Sequence, residues 1–384
     1  MEKQLEKGRV SGRVKKEIQE GKRLVFHKET KLVIQYSIAM LLTLFCGALL
    51  VLLQGERPVY ALKEIFYGAF GNEVNIGTSL RWMTPSLLVG AAGVISFRSG
   101  VMNMGMEGQM YLGALSSAIL GYSLHLPMFC HIFLCLLVGG VTGALYALVP
   151  GLIRLYFHIH ELITTLLLNF LAALFTEYIV MWVILGGKQA ENGSQSIATP
   201  ELVKTAILQP IIKDTMASTG FFLAIFLVLL LWALFRFTIF GYELNQMGRN
   251  TAFARQGGVA IEKNYLAVLM ISGGIAGLCG AIEVMGSYHR FIPYFSKNMS
   301  WDGIMITRIA MNNPLAVFPV SFIWGALKAG ALNMERVTKL NRLVVNLIQM
   351  FFVLFIAVDY ASIWRTLKRK FFGKMGNDAG EMKL

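Results

Sequence analysis

Repeated runs of about 20 apolar residues are the feature that most limits the folds open to this chain. Nine runs, each long enough or nearly long enough to cross a bilayer as a helix, cover residues 32–53, 79–97, 105–124, 129–153, 162–185, 221–240, 266–284, 315–332 and 343–358. With 55% hydrophobic residues, 15% charged residues and a mean hydropathy of +0.59, the chain cannot form a soluble globule with a polar surface. We therefore predict an all-α integral membrane protein.

The charged residues are concentrated near the two ends of the chain. Residues 1–31 hold ten Lys or Arg against five acids, and residues 365–384 hold six against two. Basic residues that flank membrane spans stay on the cytoplasmic side, so both tails are predicted to be cytoplasmic. The number of crossings is then even, and we count the short apolar segment 303–311 as a half-length tenth span. The loop 333–342 then lies outside although it is basic, which goes against the same rule.

Three parts of the chain follow from this pattern: a basic tail at 1–31, a transmembrane domain at 32–362 and a basic tail at 363–384. Within the transmembrane domain, the sizeable polar stretches are an outer loop at 186–220 and an inner loop at 241–264. Neither loop is large enough to be a catalytic domain. The sequence also lacks the G-x-x-x-x-G-K-[ST] motif that cradles nucleotide phosphates.

The stretch FRSGVMNMGMEGQMYLG, residues 97–113, sets polar side chains and four glycines between two apolar runs. Its glycines argue against a continuous helix, and a broken helix is tolerated at membrane depth only where it is buried in protein or lines water. Asn103, Glu107 and Gln109 are therefore candidate pathway or helix-break residues. The alternative is that Arg98 and Glu107 only pair or snorkel at the inner surface, in a tight turn between spans.

Two further polar sites interrupt apolar sequence. The segment 301–314 ends in Asn312-Asn313-Pro314, and paired interrupted segments in two halves of a chain point to a transport pathway. Asn169 lies about two turns inside the span that opens with the charged pair at 160–161. Asn169, Asn312 and Asn313 are therefore added to the candidate pathway or helix-break residues.

Other residues are predicted to be structural. Small residues recur at 139–143, 272–280 and 325–330, a spacing typical of close helix crossings. His158 and His160 point to different faces of a helix and have no fourth ligand nearby, so no metal site is predicted. The four cysteines lie in apolar segments without metal-ligand or disulfide spacing and are predicted to be packing residues: Cys46, Cys130, Cys135 and Cys279.

Several short motifs occur in a fixed order between residues 78 and 333. They are RWMTP at 81–85, FRSGVMNMGMEGQ at 97–109, HELITTLLLN at 160–169, the inner loop, SGGIAG at 272–277, NNP at 312–314 and GAL at 325–327. This set resembles the permease subunits of nucleoside-type ABC importers, relatives of the ribose and branched-chain amino-acid permeases. The first long motif, F-R-x-G-x-x-N-x-G-x-E-G-Q, is the most specific part of the resemblance.

The resemblance implies a bundle of about ten transmembrane helices with broken or half-length segments, of the vitamin-B12-importer class (type II ABC importer). It implies a permease subunit that forms the pathway for nucleosides, or related small sugar-containing solutes, across the bacterial cell membrane. The implied partners are a cytoplasmic ATP-binding subunit, a second, homologous permease subunit and a surface substrate-binding lipoprotein, with no nucleic acid. ATP hydrolysis would belong to the ATP-binding subunit, so the chain is expected to be no enzyme and to need no cofactor.

The resemblance further implies that the inner loop supplies a coupling helix, at 251–257, that docks on the ATPase. The candidate residues of this coupling loop are Gly248, Arg249, Asn250, Ala254, Arg255 and Gly258. The loop departs from the family pattern at Asn245, where the family usually has Arg, and at Thr251, where it has Pro.

The alternative function is an ion-coupled secondary transporter of a small polar solute. Such a transporter would also have broken helices, but it needs intramembrane acids for its coupling ion. Glu107, Glu283 and Asp359 are few and scattered along the chain. A membrane-embedded enzyme would need a nucleophile or metal motif such as HExxH or GxSxG, and the sequence has neither.

Overall fold

The structure, a computed structural model, describes residues 37–186 and 197–358. The predicted tails at 1–31 and 363–384, and residues 187–196 of the predicted outer loop, lie outside the described residues. Within the described ranges the protein is helical and contains no strand, only one isolated β-bridge between Pro210 and Ser218. The predicted all-α class is thereby confirmed.

The described residues form thirteen α-helices. They are α1 (Ser37–Leu53), α2 (Pro58–Phe70), α3 (Glu73–Arg98), α4 (Met106–Ser123), α5 (Met128–Phe157), α6 (Glu161–Tyr178), α7 (Gly220–Phe237), α8 (Ile239–Arg249), α9 (Thr251–Gln256), α10 (Ile261–Glu283), α11 (Met299–Ile309), α12 (Pro314–Val337) and α13 (Leu343–Ala357). Two of them continue as π-helical segments, α6 into Ile179–Ile184 and α10 into Val284–Tyr288. A 3₁₀ turn at Lys204–Ala206 lies in the loop before α7.

Among the described residues, six helices are long and apolar enough to cross a membrane: α3, α5, α6 with its π-segment, α7, α10 with its π-segment, and α12. Helices α1 and α2 pass the same test only when they are taken together as one bent span, which brings the number of candidate spans to at most seven. The chain is therefore a multi-pass membrane protein. Each of the nine predicted spans overlaps a helix, but α4, α11 and α13 fall outside the group of six, so the total of ten crossings stays a prediction.

By their contacts, the helices belong to two compact units. The smaller unit contains α1 and α13, which meet where Gly47 faces Ile348. A β-carbon added at Gly47 would lie 3.0 Å from Ile348 Cδ1, so a larger residue here would have to displace that side chain slightly. The rings of Phe351 and Phe355 stack on α13 with their centroids 6.0 Å apart.

The larger unit, residues 59–339, is built around α3. Every residue from 83 to 97 on this helix is buried, which is unusual for an apolar helix that could instead face lipid. On one side, Thr307 Oγ1 of α11 donates a hydrogen bond of 3.1 Å to the carbonyl oxygen of Gly90. On another side, α12 approaches so closely that a β-carbon at Gly325 would lie 2.7 Å from the backbone nitrogen of Met83. Helix α3 is therefore the core of this unit.

Glycines bring α4, α5 and α10 into close contact. A β-carbon at Gly277 would lie 2.3 Å from the carbonyl oxygen of Gly139, and one at Gly143 would lie 2.4 Å from that of Gly273. No side chain larger than hydrogen fits at such distances without moving a backbone. The predicted close crossings are thereby confirmed, and their basis is the van der Waals packing of backbone on backbone.

Candidate functional site

The predicted helix break lies between α3 and α4. Helix α3 ends in a turn in which Val101 N donates to Ser96 O at 3.0 Å and Gly100 N donates to Phe97 O at 3.2 Å. Gly100 has a φ of 75°, in the left-handed region that favours glycine. This is the Schellman arrangement that ends many helices. Residues 101–105 then run without regular structure until α4 begins at Met106.

Asn103 is the centre of a buried hydrogen-bond network within this break. Its side chain is 0% exposed, and its Nδ2 donates to Gln109 Oε1 and to Ser272 Oγ, each at 2.9 Å. Its Oδ1 accepts from the backbone nitrogen of Gly105 at 3.0 Å and from Gln109 Nε2 at 3.1 Å. Ser272 Oγ in turn donates to Ala92 O on α3 at 2.9 Å. Ser272 lies eleven residues into α10, about 16 Å along that helix, so the network lies well away from the helix ends.

Asn169, on α6, completes the hydrogen bonding of the break. Its Nδ2 donates to Met104 O, and its Oδ1 accepts from the backbone nitrogen of Gly108, each at 2.8 Å. In lipid, each unsatisfied backbone group costs several kcal/mol, so an irregular segment needs such partners. The structure thus brings the predicted residues Asn103, Gln109 and Asn169 together around one segment of backbone.

Glu107 lies at the start of α4 and faces a different loop. Its half-buried carboxylate accepts hydrogen bonds from Tyr111 Oη at 3.2 Å, from Ser300 Oγ at 3.0 Å and from Ser296 Oγ. The backbone nitrogen of Asn298 donates to the same carboxylate at 3.3 Å. Glu107 therefore joins α4 to the beginning of α11 and does not pair with Arg98, as the alternative of an inner-surface pair had allowed.

The loop held by Glu107 is conformationally unusual. Tyr294, Lys297 and Asn298 all have positive φ values, of 59°, 42° and 71°. Tyr294 Oη donates to Glu177 at 2.8 Å, and this hydrogen bond raises the pKa of the Tyr294 phenol above its ordinary value. Residues that persist in such backbone conformations cluster at ligand clamps and switch regions, provided that the surroundings over-determine them.

A buried ion pair is the main feature of the site that sequence reasoning missed. Arg81 Nη2 on α3 lies 2.7 Å from Glu283 Oε2 on α10, and the two side chains are 7% and 2% exposed. The Arg81 guanidinium also lies 4.0 Å from the Trp82 ring centroid and 5.5 Å from that of Tyr288. The sequence does show one basic and one acidic residue, each inside an otherwise apolar span. Considered separately, Arg81 was only part of the motif at 81–85, and Glu283 was only one of the scattered acids.

A second ion pair lies close to the first. Lys328 on α12 pairs with Asp302 on α11, and its Nζ lies 5.2 Å from the ring centroid of the same Trp82. Because opposite charges lie on neighbouring helices, α3, α10, α11 and α12 are held together by polar contacts as well as by packing. Charged groups inside a membrane protein usually pair with one another in this way.

The predicted coupling loop folds as α8 and α9. Asn250 caps α9, since its Oδ1 accepts from the backbone nitrogen of Phe253 at 3.0 Å. Ala254 is buried beneath the helix, whereas Phe253 is 61% exposed. Arg255 pairs with Glu262 on the surface. The short helix therefore presents one large apolar side chain on a polar surface.

Helix α8 contacts the end of α3 directly. Arg98 Nε donates to Asn245 Oδ1 at 2.7 Å, and a β-carbon at Gly248 would lie 2.0 Å from Arg98 O. The Gly100 turn that opens the helix break meets Gly248 as well. Of the other predicted coupling residues, Arg249 is exposed in the last turn of α8, and Gly258, with a φ of 85°, follows α9.

Asn312 and Asn313 lie at the break between α11 and α12, beside Phe97 and Arg98, in the wall of a cavity. Asn313 caps α12 by accepting from the backbone nitrogen of Leu315 at 3.2 Å, and Asn312 has a φ of 57°. Across the described ranges, no hydrogen bond joins either residue to the network around Asn103. The six predicted pathway residues thus fall into three separate groups.

The remaining predicted polar residues are structural in this fold. His160 caps α6, with its Nδ1 accepting from the backbone nitrogen of Leu162 at 3.3 Å, and Glu161 pairs with Arg154. Among the residues that the structure describes, no group of three or more His, Cys, Asp or Glu is placed to hold a metal ion.

A multi-pass helical protein whose buried polar groups surround a broken helix has the architecture of a solute permease. Residues 75–357 match the family described as Branched-chain amino acid transport system / permease component, and the chain belongs to this family. Permease components of such systems are transport subunits that act together with other components of the system. The chain is therefore a multi-pass permease subunit of the cell membrane.

Curated relatives match along most of the chain. The guanosine ABC transporter permease protein NupP of Bacillus subtilis is 28% identical over 84% of this chain and 92% of its own length. The nucleoside ABC transporter permease protein NupB of Lactococcus lactis is 23% identical over 87% of this chain and 93% of its own length. The glucose ABC transporter permease protein TsgB13 of Haloferax volcanii is 27% identical over 89% of this chain and 91% of its own length. No solved structure matches the chain.

Proposed function

We propose that this chain is the translocation subunit of an ATP-driven importer that carries nucleosides, or related small sugar-containing solutes, into the cell. The observation that carries the proposal is the family match over residues 75–357, together with relatives named for guanosine, nucleoside and glucose transport. The broken helix between α3 and α4 supports it, because irregular backbone at membrane depth is characteristic of transport pathways.

The importer would contain a cytoplasmic ATP-binding subunit, a second, homologous permease subunit and a substrate-binding lipoprotein. Helix α9 is the proposed contact with the ATP-binding subunit. It is a short helix on a polar surface, and the exposed ring of Phe253 offers an apolar group that a groove in a partner can bury. Asn250 would fix the start of α9 by its cap. Arg255 would fix the position of α9 relative to α10 through its ion pair with Glu262.

Movement of α9 would reach the helix break through α8. The two helices are adjacent in the chain, and α8 contacts α3 through the Arg98 to Asn245 hydrogen bond and the close approach of Gly248. The Gly100 turn at this contact is also the start of the irregular segment. A displacement of α8 on ATP binding would therefore act on the one place where α3 and α4 are joined by non-helical backbone.

Within the break, we assign different tasks to the predicted residues. Asn103, Gln109 and Asn169 hold the irregular backbone, because their hydrogen bonds go to that backbone, to one another and, for Asn103, to Ser272 on α10. Glu107 is the residue most able to sense the cargo. Its half-buried carboxylate holds a loop of unusual conformation, and a passing solute that offers hydroxyl groups can compete for that carboxylate.

The topology we propose has ten crossings, both termini in the cytoplasm and the arrangement of a vitamin-B12-importer-like bundle. It places α8 and α9 on the cytoplasmic side and the loop before α7 outside. A cysteine introduced at Phe253 should then react with a membrane-impermeant thiol reagent only after the cells are opened. One introduced at Lys204, in the loop before α7, should react in intact cells.

Uptake of radiolabelled guanosine, with and without the gene for this chain, tests the function. We expect loss of uptake in the deletion strain, dependence on cellular ATP and insensitivity to a protonophore. Uptake that collapses with the proton gradient while ATP is maintained would favour the ion-coupled alternative. That alternative is not favoured by the family, and two of its candidate acids are already engaged: Glu283 with Arg81, and Glu107 with the α11 loop. The third, Asp359, lies outside the described residues.

Two variants test the assigned residues within the same assay. Phe253→Ala, on α9, should reduce substrate-stimulated ATP turnover, while the protein still inserts into the membrane. The matched control is Tyr242→Ala, which removes an equally exposed aromatic side chain from α8. Glu107→Gln keeps the size of the side chain but removes its charge, and should impair uptake without loss of the assembled complex. Full uptake in both variants would overturn the roles assigned to α9 and to Glu107.

A further inference from the structure

A cavity of about 670 Å³ opens where α3, α7 and α8 end and where α11 meets α12. Its wall contains three arginines, one near the carboxyl end of each of the first three helices: Arg98, Arg236 and Arg249. The other polar lining residues are Asn245, Asn312 and Asn313, and the aromatic ones are Phe97, Trp232 and Phe235.

The cavity carries an excess of positive charge. No acidic side chain lines it, and within the described ranges none of its three arginines forms an ion pair. In the part of the chain that the structure describes, the Arg98 side chain donates a hydrogen bond to the neutral amide of Asn245, and its guanidinium lies 4.5 Å from the ring centroid of Phe235. A fourth arginine, Arg308, lies next to the wall, with its guanidinium 4.7 Å from the ring centroid of the lining residue Phe97.

Compensation of helix dipoles accounts for only part of this charge. A helix carboxyl end carries about half a negative charge, so three such ends leave roughly half of the three guanidinium charges uncompensated. The carboxyl end of α11 and the amino end of α12 both lie beside the lining residues Met311 to Asn313, and their half charges of opposite sign roughly cancel. The surplus predicts that an anion is drawn into the cavity.

The lining residues also indicate which chemical groups the anion contains. Guanidinium groups bind phosphate oxygens through paired N–H donors, and three arginines line this cavity. Asn312 lines the cavity, and its Oδ1 is a buried acceptor that finds no hydrogen-bond partner in the described parts of the chain. A rotation of this amide would expose the oxygen to a hydroxyl or amino group of a ligand and would satisfy it. The cavity volume also leaves room for more than a bare phosphate.

We propose that this cavity binds a hydroxyl-bearing organic phosphate, with the phosphate on Arg98, Arg236 and Arg249 and a hydroxyl donating to Asn312 Oδ1. This chemistry has two sources: the headgroup of an anionic lipid such as phosphatidylglycerol, and a soluble phosphate ester of the cytoplasm. This ligand is distinct from the transported cargo. Because Arg98 and Asn245 belong both to the cavity and to the contact of α3 with α8, an occupied cavity stabilises that contact.

The test uses the purified full-length chain in nanodiscs of neutral phosphatidylcholine, with the midpoint of thermal unfolding as the measurement. In one arm, phosphatidylglycerol replaces part of the lipid. In the other arm, glycerol 3-phosphate or adenosine monophosphate is titrated into neutral nanodiscs. A rise in the midpoint in the first arm alone identifies the lipid as the source, and a saturable rise in the second arm identifies a soluble ester.

Two variants make the result specific to the cavity. Arg236→Gln removes one exposed guanidinium of the cavity, and we expect the half-saturating concentration to rise roughly tenfold, as for loss of a charged hydrogen bond. Asn312→Ala, which removes only the hydroxyl acceptor, should also weaken binding. Lys263→Gln, which removes an exposed positive charge on α10 away from the cavity, should leave the response unchanged.

The proposal is overturned if neither arm shifts the midpoint of the wild-type chain. It is also overturned if Arg236→Gln and Lys263→Gln respond like the wild type, because the anion effect is then a general one. Guanosine uptake is measured separately on each variant. Loss of phosphate binding with retained uptake therefore leaves the transport function standing, and loss of uptake with retained phosphate binding leaves the cavity site standing.

Discussion

Two breaks in the helices of the larger unit differ in how their backbone is stabilised. Between α3 and α4, glycine provides the left-handed turn, and Asn103 and Asn169 bond the irregular backbone that follows. Between α11 and α12, the left-handed positions are taken by Met311 and Asn312, with φ values of 51° and 57°. Among the described residues, the Asn313 cap is the one side-chain hydrogen bond to the backbone of that second break, which is otherwise held by backbone bonds such as Asn312 N to Thr307 O at 3.0 Å.

This difference indicates which of the two breaks is the more stable. The first is buried, is hydrogen-bonded to α6 and α10, and has a glycine where glycine is needed, so opening it would strand several polar groups away from water. The second uses non-glycine residues in a left-handed conformation, which costs about 1–2 kcal/mol at Met311 and less at Asn312, and it borders a cavity. We infer that the first break is a fixed feature of the pathway and that the second is the more adaptable one.

The largest expected effect follows from Asn103→Leu. The substitution keeps the side-chain size but removes every hydrogen bond of the buried amide, leaving Gln109, Ser272 and Gly105 N without that partner. We expect a loss of about 3–5 kcal/mol, since each stranded buried group costs roughly 1–3 kcal/mol. Thermal unfolding of the purified chain in detergent measures it. Asn313→Leu, at the other break, is the control, and equal destabilisation by both would contradict the comparison.

A smaller loss is expected for Asn169→Leu. This side chain bonds one carbonyl oxygen and one backbone nitrogen, at Met104 and Gly108, so about 2–3 kcal/mol should be lost. Uptake should fall together with stability, because the start of α4 and therefore Glu107 are positioned by these bonds. Asn169→Asp retains the acceptor for Gly108 and should be the milder variant; if it were as damaging as Leu, the Gly108 bond would carry little of the effect.

The helices of the fold could largely be predicted from the sequence. Runs of about 20 apolar residues have few stable alternatives to a helix in a membrane protein, and each of the nine predicted runs overlaps a helix. Helix α2 was missed because it has only 13 residues and carries Lys63 and Glu64, so no span-length apolar run marks it. The count of crossings could not be fixed, since α4, α11 and α13 are near the limits of length and apolarity.

Within the site, the local features were predictable and the distant partners were not. The glycines of the stretch after Phe97 predicted the break, and Asn103, Gln109 and Asn169 lie on it. The partner of Asn103 on α10, Ser272, is 169 residues away in the chain, and Ser296, the partner of Glu107, is 189 residues away. A single serine in an apolar span has no pattern that reveals its contact. Such pairings depend on which helices are neighbours, and periodicity does not encode this.

A third prediction concerns the turn that starts the first break. Gly100→Ala should cost about 2 kcal/mol, because a left-handed conformation disfavours a β-carbon and because that β-carbon would lie 3.1 Å from Gly248 Cα. Since Gly248 is on α8, the variant should also reduce coupling between ATP turnover and uptake. Gly258→Ala is matched to it, because Gly258 has a φ of 85° but no atom within 4 Å of its β-position. Equal coupling defects in the two variants would show that the conformation alone, and not the α3–α8 contact, is responsible.

The smallest effects are expected at the second break, and their sign is the most informative result. Met311→Gly relieves a left-handed conformation in an exposed residue and should stabilise the chain by up to about 1 kcal/mol. Asn313→Ala removes an exposed cap of α12 and should cost about 1 kcal/mol. Unfolding midpoints of the two single variants and of the double variant give the comparison, with nearly cancelling effects expected in the double. If Met311→Gly instead destabilised the chain by several kcal/mol, the second break would be as tightly determined as the first, and it could not be the adaptable one.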